Sequence, residues 1–115
     1  MGLFRKKDKG LLDLEKILSA GEMKAVSYAV YYITNSSRDR EGMELANLLV
    51  SGKRRRVFPE EYAYVTASAE NMIEVMEVKK RSGSLDANLP QELLDDLNSA
   101  LPKLKRNLPD NVGIV

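Results

Sequence analysis

Lys53, Arg54, Arg55 and Arg56 stand in an unbroken row. Four adjacent cations are the strongest chemical signal in the chain. What they offer is non-covalent: charge-assisted hydrogen bonds to phosphate oxygens, with an affinity that falls steeply as salt rises. Arg5, Lys6 and Lys7 form a second basic group near the start. Together the two groups predict a nucleic acid or another polyanion as partner, held by its phosphates with little reading of base sequence.

Catalytic chemistry finds much less to work with. The chain has no histidine and no cysteine, which removes the commonest general base, the commonest metal ligand and every thiolate site. Glu60-Glu61 and Asp95-Asp96 are adjacent carboxylate pairs, but neighbouring helical residues point about 100° apart, so neither pair converges on one atom. Ser51-Gly52-Lys53 lacks a phosphate loop's first glycine, which Asn47 replaces, and its magnesium-binding hydroxyl, which Arg54 replaces. Asp86-Ala87-Asn88 fails as a calcium loop, because Pro90 and Gln91 stand where a ligand and the obligatory glycine belong. The expectation is a non-enzymatic protein with no cofactor and no metal.

Two further functions are readable from residue type. Tyr28, Tyr31, Tyr32, Tyr62 and Tyr64 are all five tyrosines. A tyrosine buries area while keeping one hydrogen-bonding end, so they mark a candidate interface in a homodimer or with a protein partner. An assembly module, viral or phage-like in its small size, is the alternative reading. Leu3-Phe4 beside Arg5-Lys6-Lys7 suggests attachment to a membrane surface, although Lys6 replaces the Ser or Thr that a myristoylation signal at Gly2 wants. The row at 53–56 also resembles a short nuclear-import signal. Glu44-Leu45-Ala46 with Val57 downstream loosely resembles the second-helix pattern of helix-turn-helix modules, with Val50 at the expected place of the turn glycine.

These residues need elements to position them. At 115 residues the chain suits one domain, and 43% hydrophobic with 30% charged residues argues against full disorder. No stretch reaches the roughly 20 apolar residues of a membrane span, and no apolar signal-peptide core follows Leu3-Phe4, so a soluble intracellular protein is expected. The net charge of +1 hides a bipolar molecule. Residues 1–10 and 38–57 each sum to +3, whereas residues 58–78 sum to −5.

From Pro59 to Arg81, Tyr62, Val65, Ala69, Met72 and Met76 recur at helical spacing. Pro59 suits the first turn, Glu60-Glu61 the positive end of the dipole and Lys79-Lys80-Arg81 the negative end. The spacing predicts an all-α bundle of four or five helices around this long element. Residues 1–10 form a flexible basic arm, 11–101 a helical domain, and 102–115 a tail that is partly ordered at most. Leu11–Leu18 reads as a short amphipathic helix. Ser19 and Glu22 have capping-box spacing. Glu22–Thr34 reads as a central helix, with a strand over 25–34 the competing assignment, and Asn35–Ser37 as a turn. Arg38–Ser51 forms a third helix ended by Gly52. Residues 53–57 are a solvated connector, 82–88 a loop, and Pro90–Leu101 a last helix that Pro102 kinks or ends.

Overall fold

The computed structural model describes residues 11–83 and 89–108. Its elements are β1 (Leu12–Asp13), α1 (Leu14–Ile17), α2 (Ala20–Ser37), α3 (Arg40–Val50), β2 (Arg56–Val57), α4 (Pro59–Arg81) and α5 (Gln91–Arg106). The all-α bundle is therefore present, with one small addition: β1 and β2 pair antiparallel, Leu12 opposite Val57 and Asp13 opposite Arg56. No described helix is long and apolar enough to cross a membrane.

The 23-residue α4 is the longest helix, at roughly 34 Å. Its inward stripe, Tyr62, Val65, Ala69, Met72 and Met76, is fully buried. α2 is the element that packs against each of α3, α4 and α5, and α4 also packs along α5. This explains why α2 is apolar on so many sides. Met23, Ala25, Val26, Ala29 and Val30 are all buried, and the helical alternative for 25–34 holds.

Capping places the helix ends. Ser19 Oγ accepts the Glu22 N–H at 3.2 Å while Glu22 Oε1 accepts the Ser19 N–H at 2.8 Å, a complete capping box at the start of α2. Asp39 Oδ1 accepts the Gly42 N–H at the start of α3. Gly42 also lets the helices approach, since a Cβ there would lie 2.5 Å from both Thr34 Cγ2 and the Tyr64 hydroxyl. Gly52, with φ of 78°, ends α3 in the left-handed region.

Four boundaries differ from the sequence reading. Leu11–Leu18 is not one helix: Leu12–Asp13 are drawn into the ladder, the Leu14 N–H donates to Arg55 O at 2.9 Å, and only Leu14–Ile17 coil. Non-local pairing here overrides local periodicity. Asn35–Ser37 belong to α2 rather than to a turn; the chain reverses at Arg38, whose φ is 58°. Arg56–Val57 form a strand within the expected connector. Finally, α5 runs through Pro102 to Arg106, so the first residues of the expected tail are helical. Pro102 and its lost partner, Asn98, both lie on the exposed face, where water can serve the freed carbonyl. Beyond the proline, Leu104 is fully buried and its carbonyl accepts the Tyr62 hydroxyl at 2.7 Å.

Candidate nucleic-acid interface

The basic row is not a loose linker. Its backbone folds back on α3: the Gly52 N–H donates to Leu49 O and the Arg54 N–H to Leu48 O, both at 3.2 Å. Gly52 permits the reversal, and the β1–β2 ladder fixes its exit. The four cations consequently have different fates. Lys53 and Arg56 are exposed. Arg55 donates Nη1 to Leu49 O at 2.5 Å and to Arg54 O at 3.2 Å, so it helps to cap the end of α3.

Arg54 is held most completely. Its Nη1 and Nη2 donate to the two oxygens of Glu61 at 2.9 and 2.5 Å, and its Nε donates to Arg56 O at 2.9 Å. The guanidinium carbon lies 5.3 Å from the centroid of the Phe58 ring, over its face, a cation–π distance. Glu61 also accepts the Phe58 N–H at 2.8 Å, which starts α4. The expectation of four solvated cations is thus corrected for Arg54 and Arg55. Their donors fold the connector before they meet any ligand.

Around this turn lies an open hollow of about 530 Å³ lined by Leu11, Asp13, Glu15, Gly52, the four cations and Phe58. The ladder forms one wall of it, because the pairing of β1 brings Asp13, and Leu11 just before it, to the connector. Residues 1–10, with Arg5, Lys6 and Lys7, lie outside the described residues, as do Leu3 and Phe4 of the membrane-surface reading. Their covalent junction at Leu11 nevertheless sits on the rim of the same hollow.

The tyrosines divide. Tyr62 is fully buried, and its hydroxyl is committed to Leu104 O; burial pushes it up to about 12. Tyr64 donates to Asp39 Oδ2 at 2.9 Å, tying α4 to the cap of α3. Burial first, then the Asp39 carboxylate, raises it to about 12, while the Gly42 N–H and the Tyr64 hydroxyl lower Asp39. Tyr62 is sealed in the core, which corrects the expectation for that residue, whereas Tyr64 stays partly exposed with its hydroxyl engaged by Asp39. Tyr28 and Tyr32 remain half-buried, ring centroids 6.3 Å apart, and Tyr31 is exposed.

Away from the connector, α3 and α5 both pack on α2. The slot between them, about 910 Å³, is lined among others by Leu18, Met23, Tyr28, Val50 and Leu93, with Glu15, Lys24, Glu92 and Asp96 at its edges. Sequence reasoning did not find the joint beside it. Glu22, 4% exposed, accepts from Lys103 Nζ at 2.8 Å and Ser99 Oγ at 2.5 Å across to α5. Among the described residues no three acidic side chains cluster as a metal site. Comparison with protein-family models, with curated proteins and with solved structures returned no match.

Proposed function

We propose that this protein binds nucleic acid without transforming it, through phosphate contacts at the hollow around residues 53–56. The observation that carries the reading is the β1–β2 ladder. It pairs Leu12 and Asp13 with the connector, so that Leu11, the residue following the basic segment 1–10, lines the same hollow as Lys53 and Arg56. Lys53 and Arg56 have exposed side chains, and Arg55 is half-buried between them. With Arg5, Lys6 and Lys7 they make a polyanion-binding set. Arg54, neutralised by Glu61, adds little to that field.

The test is the affinity for a random DNA duplex as a function of salt. Binding weakens steeply with salt, and the double variant Lys53→Ala, Arg56→Ala lowers the slope of log K against log salt by about 1.8, the share of two phosphate contacts. A slope unchanged in that variant, or no binding at low salt, defeats the reading.

A second reading, assembly or a protein partner, is favoured by the uncovered flank of α2 between α3 and α5, where Val50 is 55% exposed beside Tyr28. Light scattering that returns a monomer mass at every concentration argues against self-assembly.

A further inference from the structure

The inference concerns Arg54 and Phe58, and it rests on the nucleic-acid reading while going further than that reading does. An arginine that clamps phosphate must present the edge of its guanidinium, where the N–H groups point. In Arg54 most of that edge is engaged: Nε donates to Arg56 O and each terminal nitrogen donates once to Glu61, three of its five N–H groups. The guanidinium carbon lies over the Phe58 ring, 5.3 Å from its centroid. Arg54 lines the hollow, and 26% of its side chain is exposed. The result is a flat group held by three hydrogen bonds beside an aromatic ring, both lining a concave space. With its charge paired to Glu61 and most of its donors engaged, it is better suited to stacking than to phosphate binding.

We infer that the hollow takes one unpaired nucleobase, stacked on the Arg54–Phe58 platform, so that the protein prefers single-stranded nucleic acid over duplex. Arginine planes and aromatic rings are the surfaces on which unpaired bases stack, and the contact tolerates any base because every base has a π-face. The surroundings orient the nucleotide. Lys53 and Arg56 are the exposed cations at the connector and draw the phosphate. Asp13 and Glu15 stand on the wall that β1 and α1 supply; they repel phosphate and can only accept hydrogen bonds, as from the N–H groups of bases. A paired base inside a duplex cannot enter, since both its faces are already stacked and its edge is paired. An unpaired base enters without that cost.

The experiment compares a short oligothymidylate, an abasic strand of the same length and a random duplex of the same length, each titrated across a salt series. The wild-type protein binds the oligothymidylate about 5- to 100-fold more tightly than the abasic strand, the range that stacking of one base supplies. Arg54→Lys keeps the charge and removes the plane. It loses that preference while its salt slope on duplex stays that of the wild type. Phe58→Leu, which keeps the apolar backing and removes the ring, shifts the same way, and helical circular dichroism verifies that both variants are folded. Equal wild-type affinity for the abasic and base-bearing strands, with steep salt dependence on both, overturns the platform and leaves phosphate binding intact. An unchanged preference in folded Arg54→Lys also overturns it. If the wild type binds none of the three strands at low salt, the nucleic-acid reading fails and the platform with it. The abasic comparison uses the unaltered protein, so the inference stays falsifiable even if a variant does not fold.

Discussion

Glu22 and Glu61 hold the same local post. Each is the third residue of its helix, each accepts the N–H of the residue just before that helix, and each also takes a cation from elsewhere. Their surroundings separate them. Glu22 is buried under α5, where Lys103 and Ser99 reach it across 81 and 77 positions of sequence. Glu61 stays 28% exposed, and its cation, Arg54, comes from only seven residues upstream. One carboxylate locks two helices of the core together. The other flattens an arginine at the surface. A capping box thus sets where a helix begins, while burial decides whether its glutamate locks two helices or tethers a surface arginine.

The sharpest way to break this comparison is to remove both carboxylates in turn. Glu22→Ala leaves the Ser19 N–H and Ser99 without their acceptor and Lys103 without its counter-charge. A loss of about 2–4 kcal/mol in unfolding free energy is expected, moderated because Lys103 can swing to water. Urea unfolding measures it. If Glu61→Ala costs as much, burial is not what distinguishes the two joints.

The sequence showed one half of each joint. Ser19-x-x-Glu22 is a local signal, as are Pro59 at the first turn of α4, Gly52 after α3 and the stripe from Tyr62 to Met76, because capping and amphipathicity depend only on near neighbours. The partners across the fold left no such trace. Nothing in the spacing links Glu22 to Lys103, Tyr62 to Leu104 or Tyr64 to Asp39. These contacts exist only once the helices pack. The basic row misled for a related reason. Four adjacent cations read as solvated because the sequence does not say that Gly52 folds them back onto Leu48 and Leu49, or that Glu61 then lies within reach of Arg54. The two-residue ladder was equally hidden, since a pair so short carries no alternating pattern.

Acid sharpens the comparison with a smaller effect. Burial alone would raise the Glu22 carboxyl, but the Lys103 hydrogen bond, the Ser19 N–H, the Ser99 hydroxyl and the Lys103 charge together hold it down to about 2, from an ordinary 4.5. A group depressed in the folded state stabilises above its unfolded value and ceases to as pH falls through the folded one. Its contribution is therefore full above pH 4.5 and is lost towards pH 2, a decline of about 2 kcal/mol once the half-exposed Lys103 is allowed for. Thermal unfolding across that window measures the decline. Glu22→Gln flattens the curve and leaves the slope that the lowered Asp39 contributes. A wild-type curve that is already flat removes Glu22 as an ionic joint.

The smallest stability effect carries the most functional information. Glu61→Ala deprives the Phe58 N–H and Arg54 of a partner at a site that water reaches, so the cost is about 1 kcal/mol, in the range of a lost cap with an exposed ion pair. The consequences for binding have opposite signs. A freed Arg54 becomes an ordinary cation, so the salt slope on duplex steepens by about 0.9, one further phosphate contact. The same freedom ends the fixed placement of Arg54 over Phe58, so the preference for a base-bearing strand over an abasic one declines. Tighter duplex binding and weaker base discrimination in a single variant require Glu61 to act on Arg54 as a positioning residue. A glutamate that merely repelled phosphate would, on removal, strengthen binding to the base-bearing strand, the abasic strand and the duplex alike, and that result would reduce Glu61 to its charge.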